Sequence, residues 1–292
     1  MPLNQPTPVP PEDLPPVARA VLEALRATEG AQPVVGASLA IGGGVGLKHY
    51  LNLRPTHDLD LWWTREPESS DRRALEAVVA AVAKEHGYVL RHQSHGDVTS
   101  IAFVREDNLD EAEFAVEVAT RDVQLAPYGE SAWSPVLLES LEDNVASKMV
   151  ALVSRGYWRD FADIYAIVSN GLTTNDDCWA LWARKQQGLN REPDVVSGKA
   201  SVLRHLEKLS LSRPIERFPE PAARARAATL RAWFKDDFTA GQDREPANAH
   251  EAPRVGDTQS DAVPQVYREG SKDPHVEAEH VAEVEDRRTP EP

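Results

Sequence analysis

The stretch from Ile41 to Trp63 constrains the fold and function of this chain more than any other. Its sequence, IGGGVGLKHYLNLRPTHDLDLWW, begins with three glycines, continues with apolar residues at helical spacing and ends in alternating Asp and Leu. Side chains two positions apart on a β-strand lie on the same face. We therefore predict a strand that presents Asp58 and Asp60 on one side and buries Leu59 and Leu61 on the other.

The glycines and the aspartates together indicate a chemistry. Adjacent carboxylates repel each other, and Mg²⁺ relieves that repulsion because hard divalent cations suit oxygen ligands. The backbone N–H groups of Gly43 and Gly44 can approach a phosphate closely because glycine has no Cβ. A glycine run alone is usually a flexible turn, and Asp-x-Asp alone is usually a solvated strand end. Their order and spacing favour a site for metal-assisted phosphoryl or nucleotidyl transfer.

This stretch resembles the first motif of the minimal nucleotidyltransferases, which have a DNA polymerase β-like fold. More narrowly, it resembles the AbiEii/AbiGii toxin family, whose pattern adds an Arg and a Ser or Thr before the aspartates. Arg54 and Thr56 stand at those positions. Gly44 departs from the pattern, because a Ser or Thr is common there and would add a hydroxyl contact to phosphate.

A third acidic residue is expected from the same resemblance, on a later strand. We predict a strand over residues 114–119, in which Glu117 lies between Val116 and Val118. A charged side chain within an apolar strand is costly unless it is paired or binds a metal. Glu117 therefore matches the family position best. Asp122 is the second candidate, and an outward-facing strand glutamate is the plain alternative.

The second informative stretch is residues 140–168, SLEDNVASKMVALVSRGYWRDFADIYAIV. Its apolar residues have helical spacing, and an unbroken helix would bring Lys148, Arg155 and Arg159 to one side. Gly156 would end that arrangement if it breaks the helix. A solvated charged face is the alternative interpretation. The combination resembles the second half of the toxin family's motif, whose matching residues here are Lys148, Arg155, Arg159, Asp160 and Asp163.

The sequence divides into four segments. Residues 1–16 hold seven prolines and predict a disordered arm. Residues 17–170 are expected to form the nucleotidyltransferase core, and residues 171–240 a helical C-terminal lobe. Residues 241–292 hold thirteen acidic and six basic residues and few aromatics, which predicts a disordered acidic tail that is dispensable for chemistry.

We predict an α/β (α+β) fold with a small mixed β-sheet flanked by helices, in which a charged turn over residues 105–113 precedes the strand of Glu117.

Composition excludes several classes of protein. The formal net charge of −15 argues against binding nucleic acid with the whole surface, although residues 184–231 carry eleven basic and five acidic residues. One cysteine rules out an intrachain disulfide. The first residues do not predict a signal peptide, and no apolar run approaches the ~18 residues of a membrane span. We expect a cytoplasmic protein without membrane contact.

Two further site classes do not fit the sequence. No pair of histidines or cysteines has zinc spacing, and His57 stands out only because it precedes Asp58. The chain has no Gly-x-x-x-x-Gly-Lys-Ser/Thr loop, which excludes a P-loop nucleotide site.

The resemblance implies an enzyme that moves a nucleoside monophosphate from an NTP to an acceptor. Asp58, Asp60 and Glu117 are expected to hold Mg²⁺, while Gly43 and Gly44 cradle phosphate. Lys148 with Arg155 or Arg159 would neutralise the triphosphate, and Asp163 would orient one of them. The family implies the toxin of a bacterial toxin–antitoxin or phage-defence module, with tRNA as an expected acceptor and a cognate antitoxin as a partner. The competing hypothesis is an inactive module that binds a nucleotide or a partner protein.

Overall fold

The fold is built on one seven-stranded mixed β-sheet. The computed structural model describes residues 6–27, 35–51 and 54–240. The strand order is β3-β4-β5-β2-β1-β7-β6. The strands are β1 (Leu39–Ile41), β2 (Asp58–Trp63), β3 (Val89–His95), β4 (Val98–Arg105), β5 (Asn108–Thr120), β6 (Gly129–Glu130) and β7 (Leu137–Leu138). β2 runs parallel to β5 and antiparallel to β1, so it lies near the middle of the sheet.

Eight α-helices accompany the sheet within the described ranges. They are α1 (Pro16–Ala27), α2 (Gly43–Leu47), α3 (Ser69–Glu85), α4 (Leu141–Ser154), α5 (Trp158–Ser169), α6 (Asn175–Gly188), α7 (Val195–Ser212) and α8 (Pro221–Trp233). Short 3₁₀ helices span Val35–Ser38 and Ile215–Arg217, and a short π-helix spans Phe234–Phe238. The predicted α/β class is thereby confirmed.

Local sequence explains where the main helices begin. Ser140 caps α4 by accepting a hydrogen bond from the Asp143 amide at 3.0 Å, and Asp194 caps α7 through the Ser197 amide. Between α4 and α5, Gly156 takes a φ of +57°, a backbone conformation that favours glycine. The helix therefore breaks there, and Lys148 and Arg159 lie on two separate helices.

Packing divides the described chain into two hydrophobic clusters. Apolar residues from Leu14 to Leu138 form the first, which packs α1 and α3 on one face of the sheet. The second is made almost wholly of residues from Leu141 to Phe238 on α4 to α8. The change from one cluster to the other along the chain therefore comes between β7 and α4, apart from Leu47 of α2, which belongs to the second cluster. By its internal contacts, Met1–Val255 forms one unit. A second unit, Gly256–Pro292, lies outside the described residues, and so does the predicted acidic tail over residues 241–292.

The described part of the proline-rich arm is held against α2, whereas the sequence predicted disorder over residues 1–16. The Val9 amide donates to the His49 carbonyl at 2.8 Å, and Asp13 Oδ2 lies 2.6 Å from Lys48 Nζ. Leu14 is buried in the first cluster. The Lys48 ammonium is almost fully buried, and a carboxylate partner lowers the cost of burying that charge.

The hairpin between β4 and β5 is the second difference from the sequence prediction. Residues 105–113 were expected to form a charged turn, but β5 already begins at Asn108, so only Glu106 and Asp107 connect the two strands. Residues 108–113 are all exposed. A strand that buries neither face has no apolar alternation, which is why the pattern did not indicate it.

No helix in residues 6–27, 35–51 and 54–240 is long and apolar enough to cross a membrane.

Candidate active site

Three carboxylates lie on one face of the sheet. β2 alternates between half-buried and buried side chains, so Asp58 and Asp60 lie opposite the core-facing Leu59 and Leu61. Asp60 is in direct register with Glu117 of the neighbouring parallel strand β5. Side chains in register on adjacent strands lie on the same face. The structure therefore brings together the three acidic residues that the sequence singled out.

The surroundings of Asp60 destabilise the charged form of its carboxyl group. Burial and the negative charge of Asp58 together raise the pKa of Asp60 to about 7, although the Lys148 ammonium acts in the opposite direction. Burial and the charge of Asp58 also raise the pKa of Glu117. A nearby cation would stabilise the charged forms of Asp60 and Glu117.

Asp122, the second candidate for the third acid, lies beyond the end of β5 with an exposed side chain. His57 is exposed as well, and its carbonyl accepts the Ala115 amide at 3.0 Å. Neither of them lies on β2 or β5 beside Asp60. Glu117 is the acid that the sheet register places next to Asp60.

Asp58 is oriented by the residues that precede it. The Thr56 hydroxyl donates to Asp58 Oδ1 at 2.6 Å, and Thr56 itself is buried. On the other side, Arg159 Nη1 of α5 lies 3.7 Å from Asp58 Oδ2. Thr56 thus fixes the carboxylate geometry, and Arg159 offsets part of its charge.

Asp163 joins the two motifs. This aspartate is 1% exposed and lies 2.8 Å from Lys148 Nζ. It also accepts two hydrogen bonds from Arg54, at 3.1 and 3.2 Å. Burial lowers the pKa of Lys148, but Asp163 and Asp60 outweigh burial and raise the pKa above its usual value. Lys148 is therefore a permanent cation held beside Asp60.

Arg155 is engaged elsewhere. Its guanidinium makes two hydrogen bonds, at 3.0 and 3.2 Å, to the fully buried Asp160 at the start of α5. Of the two arginines that the sequence proposed for the triphosphate, Arg159 makes an ion pair with Asp58, whereas Arg155 acts on Glu117 through its charge, which partly offsets the rise that burial causes in the pKa of that carboxyl. Arg155 holds the turn between α4 and α5.

The glycines lie directly against the carboxylates. Gly43 has a φ of +54°, and a Cβ built on it would lie 1.7 Å from Asp60 Oδ2. A Cβ on Gly44 would lie 3.0 Å from Thr56 Oγ1. The Asn144 side chain, one turn before Lys148 on α4, donates to the Gly43 carbonyl at 3.1 Å. The start of α2 therefore packs this closely against β2 and Thr56 only because positions 43 and 44 lack side chains.

Two site residues escaped the sequence reasoning. Arg54 was assigned to a motif but given no role, and its partner Asp163 is 109 positions away. Asn144 was not singled out, although its place four residues before Lys148 puts it on the same helix face.

The donor set fits a divalent cation in part. Asp58 and Asp60 supply two carboxylates on the same face of β2, and the charge of Asp58 raises the pKa of Asp60. However, among residues 6–27, 35–51 and 54–240 no three His, Cys, Asp or Glu side chains form a metal-binding group. Glu117 lies beside the pair without completing such a group.

The basic residues of the helical half differ in exposure. Arg204 and Lys208 of α7 are exposed. Arg231 of α8 is half-buried and donates to the Arg213 carbonyl at 2.5 Å, just past the end of α7. Arg231 therefore has a structural contact, which separates it from the two exposed residues.

Comparison with known proteins supplies the family. The family model described as nucleotidyl transferase AbiEii toxin, type IV TA system, matches residues 26–259. Two solved structures from Helicobacter pylori are similar: JHP933, with 13% identity over 77% of this chain and 95% of that chain, at a TM-score of 0.41, and a "putative nucleotidyltransferase", with 13% identity over 76% and 93%, at 0.42. A search of the curated proteins found no match. The chain belongs to the AbiEii nucleotidyltransferase toxin family of type IV toxin–antitoxin systems.

Proposed function

We propose that this chain transfers a nucleoside monophosphate from an NTP to an RNA acceptor, with tRNA as the expected class, and releases pyrophosphate. The acceptor hydroxyl oxygen bonds to the α-phosphorus, the bond from that phosphorus to the oxygen bridging it to the β-phosphate breaks, the bridging oxygen leaves with the pyrophosphate, and the hydroxyl proton passes to solvent water. The observation that carries the proposal is the group of Asp58, Asp60 and Glu117 on one face of the sheet, with Lys148, held by Asp163, acting on Asp60.

Each residue has a role that follows from its surroundings. Lys148 and Arg159 are cations at the edge of the carboxylate group, where they attract and orient the triphosphate. The amides of Gly43 and Gly44 bind phosphate oxygens, because no side chain separates them from the site. Asp163 keeps Lys148 extended and charged.

Asp58 and Asp60 would hold Mg²⁺, with Glu117 as the nearest further carboxylate. When bound there, the ion would supply charge neutralisation on the triphosphate and activation of the acceptor hydroxyl. A cognate antitoxin is the partner expected from membership of a type IV toxin–antitoxin family.

The test is incubation of the full chain with each α-labelled NTP in turn, Mg²⁺ and total RNA. We expect label in RNA with one NTP or a subset of them. Asp58→Ala and Asp60→Ala should each reduce transfer by at least about a hundredfold while the protein stays folded. The control is Asp71→Asn on α3, which removes a carboxylate bonded to Arg65 at 2.8 and 2.9 Å on the opposite side of the sheet.

Other outcomes decide between the alternatives. Label in protein would identify a protein acceptor. Nucleotide binding without any transfer would favour the inactive binding module, and full activity of either Asp→Ala variant would refute the assignment of the two aspartates.

A further inference from the structure

A second group of charged side chains lies behind Gly42 to Gly44, the residues that open α2 and that we call the glycine loop, and is not used by the proposed chemistry. We call it the Arg121 cluster, and it consists of Trp62, Arg121, Glu139, Asp143 and Lys185. The side chains of Arg121, Glu139 and Asp143 are only 3%, 0% and 2% exposed. Because they are sealed from solvent, they have no access to a substrate.

The charges within the cluster are balanced by direct contacts. Glu139 pairs with Arg121 and accepts a hydrogen bond from Trp62 Nε1 at 3.2 Å. The Arg121 guanidinium lies 4.3 Å from the centroid of the Trp62 ring, and its Nη1 lies 3.5 Å from Asp143 Oδ1. Removing Arg121 alone would leave the buried Glu139 carboxylate without its ion-pair partner, which is strongly unfavourable.

The cluster packs directly on the backbone of the glycine loop. A Cβ built on Gly42 would lie 2.5 Å from Glu139 Oε2 and would also overlap Trp62 Nε1. The Glu139 amide donates to the Ile41 carbonyl at 2.8 Å, and the Gly42 amide donates to the Asp60 carbonyl at 2.9 Å. The Glu139 carboxylate therefore occupies the space behind the residue that opens the loop.

The same cluster also reaches the helical half. Ser147, the residue before Lys148 on α4, accepts hydrogen bonds from Arg121 Nη1 and Lys185 Nζ, both at 3.3 Å. Asp143 on α4 accepts the amides of Leu125 and Ala126. The contacts of the Arg121 cluster thus connect β2, the segments that follow β5 and β7, and the helices α4 and α6.

We propose that the Glu139–Arg121 pair is a positioning device that holds the glycine loop and α4 in the relation that brings Lys148 beside Asp60. The pair acts through these elements and does not touch substrate. Its importance for catalysis rests on the proposed function, but the positioning itself is a property of the protein alone.

Hydrogen exchange on the full chain tests the positioning. In Glu139→Gln the glutamine still accepts from Trp62 Nε1, but Arg121 loses the nearer of its two carboxylate partners and keeps only Asp143. The amides of Gly42, Gly46 and Lys48 donate backbone hydrogen bonds. We expect their hydrogen exchange, measured in a peptide that covers residues 41–48, to become at least about tenfold faster. Because a buried arginine that has lost one carboxylate partner can impair folding, the second variant is Arg121→Met/Glu139→Gln, which removes both charges of the pair. Asp143 keeps the amides of Leu125 and Ala126, so this variant should fold while still losing loop protection.

Asp71→Asn is the matched control, since it breaks another buried, arginine-paired carboxylate far from the loop. It should accelerate exchange at the start of α3 and leave the 41–48 peptide within about twofold of wild type. Equal acceleration in this control, or unchanged loop exchange in both Glu139 variants, would overturn the proposal.

Affinity for a fluorescent NTP with Mg²⁺ extends the test to function. We expect the double variant to bind the nucleotide about tenfold more weakly than wild type at an unchanged melting temperature. Unchanged affinity would overturn the link to the site. If the wild type binds no nucleotide, the proposed function fails, and the exchange experiment still decides the positioning.

Discussion

Substitution of Gly43 by alanine, compared with the same substitution of Gly96, separates backbone strain from crowding against β2. Gly43 has a φ of +54°, and a Cβ there would lie 1.7 Å from Asp60 Oδ2. Gly96, at the turn between β3 and β4, has a similar φ of +59° with nothing within 4 Å of the added carbon. Both alanine variants adopt the same unfavourable backbone conformation, and only Gly43→Ala must also displace Asp60.

The magnitudes follow from these two effects. A left-handed alanine costs about 1–2 kcal/mol, which is the whole effect expected for Gly96→Ala. Displacing a well-packed side chain adds about 1–3 kcal/mol, so Gly43→Ala should cost about 2–5 kcal/mol. At roughly 2–4 °C per kcal/mol for a chain of this size, the melting temperature should fall by about 4–20 °C in Gly43→Ala, and by about 2–8 °C in Gly96→Ala.

Thermal unfolding and nucleotide titration are measured on both variants and on Gly44→Ala. The Cβ of Gly44→Ala would lie 3.0 Å from Thr56 Oγ1 without a positive φ, so its loss of stability should be the smallest. Nucleotide affinity and transfer should be lost in Gly43→Ala and retained in Gly96→Ala. Equal melting temperatures for the variants at positions 43 and 96, with nucleotide binding intact in both, would refute the reasoning.

Three further predictions concern charge. A double-mutant cycle of Lys148→Ala and Asp163→Ala should give a coupling free energy of unfolding of about 1–3 kcal/mol, and a value below about 0.5 kcal/mol would contradict the buried pair. Burial lowers the pKa of Lys185 to about 8 from 10.5, so the unfolded chain binds more protons between these values. Wild type should therefore gain stability relative to Lys185→Met as the pH rises from about 8 to about 10, measured by thermal melts, and a constant difference would exclude this effect. Arg204→Ala/Lys208→Ala should raise the KM for an RNA acceptor and flatten its log–log salt dependence by about 0.7–0.9 for each phosphate that these side chains neutralise, whereas an unchanged slope would remove α7 from acceptor binding.

Local patterns predicted the elements that carry the site. The alternation of Asp58 to Leu61 predicted the strand and its two faces, and Glu117 between two valines predicted an acid on a second strand. The helical spacing from Leu141 onwards predicted α4, with Gly156 as the candidate for its end. Each of these signals lies within a few residues of the feature that it describes, because side-chain direction is fixed by the local backbone period.

Contacts between distant segments could not be read in the same way. Arg54 and Asp163 meet only after the helical half has packed on the sheet, and Asp13 finds Lys48 only because the arm folds back on α2. Neither pairing has a spacing in the sequence that sets it apart from other charged residues. The alternative between Glu117 and Asp122 required the register of β2 and β5 for the same reason.

The distance along the chain between Arg54 and Asp163 has a consequence for synthesis of the protein. The hydrogen bonds join residues 109 positions apart, and the parallel pairing of β2 with β5 also spans many residues. Non-local contacts of this kind form late, because the chain between them must first be ordered. While the ribosome has released the sheet but not α5, Asp58, Asp60 and Glu117 lack the cations of Lys148 and Arg159 in their folded positions. We therefore expect a nascent chain that lacks its helical half to show none of the proposed transfer activity.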